Sequence, residues 1–164
     1  MTFDKILTNL YVGACPLDHV DVDRLRREAG ITAVLSVQTE EDFAYWRINW
    51  ESLAAYYEQT GVTVRRVPVQ DFNLDDLARR LPECVAALDQ LVKDGHTVYV
   101  HCSAGINRSP TVVIAWLHWI EQWPLADAKR HVMTCRASEP CMEAIRLAEP
   151  PASPRHNSGS GRGQ

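Results

Sequence analysis

The sequence has no apolar run near the ~18 residues that a membrane-spanning helix requires. It has no excess of positive charge either. The formal net charge is −4, which excludes general attraction to nucleic acid but not a local basic pocket. Cysteine is scarce and odd in number, five residues at irregular spacing. That excludes a disulfide scaffold and points to a reducing, cytoplasmic setting. Met1–Gly13 lacks the apolar stretch of a signal peptide, because Thr2, Asp4, Lys5, Thr8 and Asn9 interrupt it. No internal repeat is present. Large apolar residues are missing from Pro150–Gln164. Residues 149–164 therefore read as a flexible tail behind a single domain over 1–148. What remains is an ordinary globular composition, 46% hydrophobic and 23% charged, enough for one core.

Strand and helix signals alternate along the domain. Leu10–Gly13, Ile31–Val37, Val62–Val69 and Thr97–Val100 read as strands, the second as a buried apolar run. Asp21–Ala29 reads as a surface helix stopped by Gly30. Asn49–Thr60 reads as a helix closed by Gly61, with Trp46, Trp50, Leu53 and Tyr57 on one stripe. Asp75–Lys93 is helical, and Pro82 predicts a break within it. Ser109–Glu121 is apolar on nearly every side and belongs at the centre of the fold. Pro124–Thr134 and Glu139–Ala148 read as closing helices. The alternation predicts an α/β fold, a mostly parallel central sheet flanked by helices.

The chemistry gathers between the last strand and the central helix, in His101-Cys102-Ser103-Ala104-Gly105-Ile106-Asn107-Arg108-Ser109. A helix N-terminus offers unpaired N–H groups and the positive end of a dipole. Gly105 permits a positive φ, so the N–H groups of residues 103 to 108 can converge on one anion. Cysteines at a helix N-terminus beside an arginine ionise more readily than a free thiol, and the thiolate is the nucleophile. Arg108, six residues after Cys102, carries a planar fork that suits two phosphate oxygens. Ser109 can hydrogen-bond the sulfur and steady it as a leaving group. Together these groups describe phosphoryl transfer to cysteine. None of the other cysteines has arginine six positions on; they meet Asp21, Gln90, Cys141 and Leu147. The bland alternative, a buried cysteine at a strand end, leaves His101, Gly105, Arg108 and the helix start as coincidences. His101 alternates away from Cys102 along the strand, which suits it to holding loop carbonyls rather than moving protons.

The segment His101–Ser109 resembles the signature of the cysteine-dependent, dual-specificity branch of the protein tyrosine phosphatases. The likeness extends over Lys5–Ala148. Ile6–Gly13 resembles the entry strand of that family. Val69-Gln70-Asp71-Phe72-Asn73 with Leu81-Pro82 resembles its acid loop and next helix, and Cys141–Ala148 its closing helix. Within the family, Glu41–Trp46 and Asp71-Phe72-Asn73 are most similar to glucan phosphatases of the starch-excess and laforin type. Those phosphatases resemble one another in having Gly before the loop arginine, where this sequence has Asn107, as in phosphatases acting on proteins. No carbohydrate-binding module is read in the sequence.

The resemblance implies a metal-independent hydrolase with no cofactor, working through phosphocysteine. It implies a general acid on a separate loop, matched by Asp71. Asp75 and Asp76 compete for that place, although acids in a first helical turn usually serve as caps. The expected substrate is a phosphoprotein, with a phosphoglucan as the alternative and a silent phosphate-binding module as the lesser one. The reading includes no nucleic acid, no membrane and a monomer.

Six of the thirteen aromatic residues lie between 43 and 57. Trp46, Trp50 and Tyr57 read as core, whereas Phe43, Tyr45 and Tyr56 lie off the stripe. Phe43, Tyr45, Phe72 and Asn73 are candidate substrate contacts, because aromatics beside a phosphate pocket stack on sugars or grip phosphotyrosine. Trp116, Trp119 and Trp123 read as core or its rim. His131 and Cys135, at i,i+4, have zinc-ligand spacing but no second ligand pair, so they read as core. Whether Cys84 or Cys135 pairs with Cys102 stays open, because a disulfide depends on distance.

Overall fold

The computed structural model describes residues 1–152. The expected tail lies outside the described residues from 153 onward; residues 149–152 carry no regular structure. Five strands, β1 (Phe3–Leu7), β2 (Leu10–Gly13), β3 (Ala33–Ser36), β4 (Thr63–Arg66) and β5 (Val98–His101), form one sheet. Its order is β1-β2-β5-β3-β4. All neighbours are parallel except β1, which runs antiparallel to β2. The α/β fold with a mostly parallel sheet is therefore present. The edge strand β1 is added to it, because the polar residues Asp4 and Lys5 hide its apolar face from a sequence reading.

The sheet separates two cores. One face is covered by α4 (Leu74–Lys93), α5 (Arg108–Trp119), α6 (Leu125–Cys135) and α7 (Met142–Leu147). The other is covered by α1 (His19–Ala29), α2 (Glu40–Trp46) and α3 (Trp50–Gln59). Alternation along β5 sends Val98 and Val100 to the first core and Tyr99 to the second. Helix α5 is buried from Arg108 to Leu117 and packs on α4, α6 and α7. Its apolar perimeter follows from that central place. Gly30, at φ 65, closes α1 as expected.

Two local expectations are corrected. Pro82 does not break α4, which runs unbroken over 20 residues. Leu77, Leu81, Cys84, Val85, Leu88 and Leu91 form one buried stripe across the proline, and that burial outweighs a single missing backbone hydrogen bond. Trp46 does not belong to the α3 stripe. It ends a separate helix, α2, opened by a Thr39–Asp42 capping box and stopped by Arg47 at φ 55. The change of direction leaves Trp46 42% exposed, while Leu53 and Tyr57 remain in the core.

Candidate active site

The strand β5 delivers His101 and Cys102 to the carboxyl edge of the sheet, and α5 starts six residues later. The intervening loop curls around the sulfur. The Gly105 N–H donates to Cys102 Sγ at 3.3 Å, and Ser109 Oγ lies 3.3 Å from the same sulfur. Gly105 has φ 69 and packs against the backbone of Gly13, where any Cβ would collide with the Gly13 carbonyl. Asn107 does not cap α5; its side-chain amide donates instead to the Glu139 carbonyl at 2.8 Å. The N–H groups of Ser103, Ala104, Ile106, Asn107 and Arg108 find no acceptor among the described residues.

The loop carbonyls, by contrast, are held from outside. His101 Nδ1 donates to the Cys102 carbonyl at 2.9 Å. A carbonyl only accepts, so Nδ1 carries the proton. Burial drives the His101 pKa down to about 4, and Arg108 adds to that, so the ring is neutral near pH 7. The Cys15 N–H donates to the Ser103 carbonyl at 2.8 Å, and the Glu139 N–H to the Ile106 carbonyl at 2.8 Å.

Arg108 is 1% exposed. Asp42 grips both ends of its fork, Nη1 to Oδ2 at 2.8 Å and Nη2 to Oδ1 at 2.9 Å. Nη1 also donates to the Val69 carbonyl at 2.8 Å, just ahead of Asp71. Nε is buried with no partner among the described residues, and Arg108 lines the pocket above Cys102. An unpaired buried donor beside a pocket calls for an acceptor there. Burial alone would raise the Asp42 pKa. The Arg108 fork, the Thr39 N–H and the Ser103 hydroxyl outweigh it and hold the carboxyl well below its usual range. Burial works against the Arg108 charge, and the Asp42 hydrogen bonds, with the nearby Cys102, Asp42 and Asp71 charges, more than restore it.

The acid-loop residues stand across the pocket. Asp71 Oδ2 is 3.1 Å from Arg108 Nη2, and Oδ1 accepts from the Phe72 N–H at 3.1 Å. Asp76 is committed elsewhere. It accepts the Gln70 N–H at 2.8 Å and pairs with Arg79. Burial raises the Asp76 pKa, but these bonds outweigh it and lower the pKa. Asp75 lies exposed in the first turn of α4. Asn73 caps α4, its Oδ1 accepting from the Asp76 N–H and its amide donating to Gln70. Its side chain thus secures the acid loop, and Asn73 also lines the pocket over Cys102.

The pocket over Cys102 has a volume of about 410 Å³. Asp71, Phe72, Leu77, Ile106, Glu139 and Cys141 are among its lining residues, and Arg108 is the only cationic one among the described residues. Phe72 is fully exposed at its lip, at φ 54. Tyr45 is 79% exposed on α2. Phe43 must be corrected: it is 4% exposed, stacked on Trp50 at 5.0 Å with Arg66 over both rings. The α2 register that turns Tyr45 outward turns Phe43 into the core. Tyr56 donates to Asp23 and stacks on His19, away from the pocket. His131 Nε2 meets the Ile6 carbonyl at 2.8 Å. Among the described residues, no three His, Cys, Asp or Glu side chains are grouped to hold a metal. All five cysteines are free thiols.

A sequence reading missed two side chains. Asp42 lies 66 residues from Arg108, and its only local signal is the capping box Thr39-x-x-Asp42. Arg136 reaches the loop from the end of α6, without any local signal.

A family model for the dual specificity phosphatase catalytic domain matches residues 10–145. The chain belongs to this family. Laforin of Mus musculus is 33% identical over 147 residues, covering 83% of this chain and 44% of laforin. The phosphoglucan phosphatase LSF1 (chloroplastic) of Arabidopsis thaliana is 36% identical over 148 residues, covering 90% and 25%. Dual specificity protein phosphatase 12 of Rattus norvegicus is 36% identical over 110 residues, covering 67% and 30%. The chain thus spans less than half the length of these curated relatives. The solved structure of PTPMT1 shares its fold, with a TM-score of 0.69 at 22% identity over 89% of this chain and 90% of that one. So does a human tyrosine phosphatase-like serine/threonine/tyrosine-interacting protein, at 0.70 and 22% over 88% and 91%.

Proposed function

We propose that this dual-specificity phosphatase domain is a metal-independent phosphomonoester hydrolase working through phosphocysteine. The observation that carries the reading is one convergence. Cys102, Ala104, Ile106, Asn107, Arg108 and Asp71 line one pocket, and around it the loop amides other than that of Gly105 and the Arg108 Nε have no partner among the described residues. The loop amides of Ser103 to Asn107 and the Arg108 guanidinium bind the phosphoryl oxygens and neutralise their charge as the transition state develops. The Cys102 thiolate attacks phosphorus, the ester P–O bond breaks, and Asp71 gives its proton to the leaving oxygen. Asp71 then takes a proton from water as that water attacks phosphorus and the P–S bond breaks. Ser109, 3.3 Å from the sulfur, stabilises the departing thiolate.

Phosphorylated tyrosine, serine or threonine of proteins is the substrate we favour, on Asn107 ahead of the arginine and on a pocket with one cation. The second reading, a phosphoglucan, has specific support. Tyr45, Trp46 and Phe72 are exposed aromatics suited to sugar rings. The relatives covering 83% and 90% of this chain are laforin and a phosphoglucan phosphatase. The proposal includes a monomer in a reducing cytoplasm; no helix among the described residues is long and apolar enough to cross a membrane.

Hydrolysis of p-nitrophenyl phosphate in excess chelator tests the reaction. Full turnover is expected, and loss of activity on chelation would overturn metal independence. Phosphate release from amylopectin against a phosphotyrosine peptide tests the substrate. Peptide cleavage without glucan release is expected, and the reverse outcome replaces the first reading with the second.

A further inference from the structure

Arg136 is the C-cap of α6, 5% exposed, and its side chain reaches under the phosphate loop. Nε donates to the Gly105 carbonyl at 2.6 Å, and Nη2 to the Ala104 carbonyl at 3.0 Å. Nη1 donates to Asp4 Oδ2 on β1 at 2.7 Å. One guanidinium therefore ties two consecutive loop peptides to the edge strand.

A trans peptide is planar, with its C=O and N–H pointing in opposite directions. The Ala104 carbonyl shares its plane with the Gly105 N–H, the one that donates to Cys102 Sγ. The Gly105 carbonyl shares its plane with the Ile106 N–H, which is free for an anion. Pulling both oxygens outward aims both hydrogens inward. These are also the two peptides flanking Gly105, at φ 69, where backbone rotation is least restricted. A flip of either would present a carbonyl oxygen to the phosphate in place of an N–H. The other loop carbonyls are held by His101, Cys15, Glu139 and Thr111, all uncharged donors. Among the described residues, Arg136 is the one charged donor to a loop carbonyl.

We propose that Arg136 is a positioning residue, which sets the direction of the loop amides by holding the Ala104 and Gly105 carbonyls away from the pocket. The inference rests on the phosphatase reading for its catalytic consequence, but its structural content concerns anion binding. Arg136→Met removes fork and charge, and Arg136→Lys keeps the charge with a single-point donor that cannot span both carbonyls. Tungstate affinity, read by calorimetry, is expected to fall about 100-fold in Arg136→Met and about 10-fold in Arg136→Lys. The kcat/KM on p-nitrophenyl phosphate falls in the same order, with Arg136→Lys retaining more of it than Arg136→Met. A purely structural role lowers the unfolding midpoint and moves neither readout in the folded protein. Folded variants that bind tungstate within about twofold of the parent overturn the proposal. If Arg136→Met does not fold, the tungstate affinity of Arg136→Lys decides by the same criterion. A parent protein without Cys102-dependent hydrolysis would defeat the phosphatase reading, and the tungstate comparison would still decide the role of Arg136.

Discussion

Asp42 holds Arg108 by both carboxylate oxygens, at 2.8 and 2.9 Å, inside the protein. Asp42 itself is fixed by Thr39 at the start of α2, so a helix cap is joined directly to the anion-binding arginine. The arrangement leaves Nε as the unpaired donor of the guanidinium and orients it by default.

Removing one partner of a buried ion pair strands the other. Asp42→Ala should cost about 3–5 kcal/mol of stability, measured as the urea midpoint at pH 7. The pair also has a pH signature. The folded Asp42 carboxyl titrates below its ordinary value, so its contribution is complete above that value and is lost as the pH falls below it. Acidification should therefore narrow the stability gap between parent and Asp42→Ala.

His101 acts at a milder pH. The unfolded imidazole takes up a proton near 6.5, whereas burial holds the folded one down to about 4. Between those values the unfolded chain binds more protons, so stability falls with pH through that window and levels off below it. The loss between pH 7 and pH 5 should be on the order of 2 kcal/mol from this group. In His101→Gln the difference in urea midpoint between the two pH values should shrink accordingly. An unchanged difference would remove His101 as its source.

Asp71 and Asn73 separate chemistry from capping. Asp71→Ala should lower kcat about 10²–10⁴-fold on alkyl phosphates, whose leaving oxygen needs the proton, with a smaller loss on p-nitrophenyl phosphate. Asn73→Ala should cost about 1 kcal/mol of stability through the lost α4 cap. Equal losses of Asp71→Ala on both substrates would point to a role other than proton transfer.

Gly105→Ala sets two penalties at one position. A left-handed backbone costs a side-chain-bearing residue about 1–2 kcal/mol, and the new Cβ would meet the Gly13 carbonyl. The loop must shift, so the variant should fold less stably and bind tungstate more weakly than the parent. Parent-like tungstate binding would show that the loop tolerates the shift.

The strand–loop–helix from Val98 to Trp119 was legible because its elements are adjacent in sequence and its chemistry is local. The apolar strand, Gly105, Arg108 and the apolar helix each announce themselves. Asp42 and Arg136 were not legible, because they reach the loop through the packing of α2 and α6. Nothing in their neighbourhoods marks that destination beyond a capping box. Phe43 and Trp46 depart from the sequence expectation for one reason: the turn at Arg47 divides a single apparent stripe into two helices. Pro82 signals a break locally, but the buried stripe on both sides of it holds α4 together.

The phosphocysteine intermediate is the centre of the account. Rapid acid quench of the Asp71→Ala protein during turnover, followed by mass spectrometry of its peptides, tests it most directly. The account predicts a phosphoryl adduct on Cys102, and a Cys102→Ser protein with no turnover. Undiminished hydrolysis by Cys102→Ser, with no adduct on the parent cysteine, would contradict it.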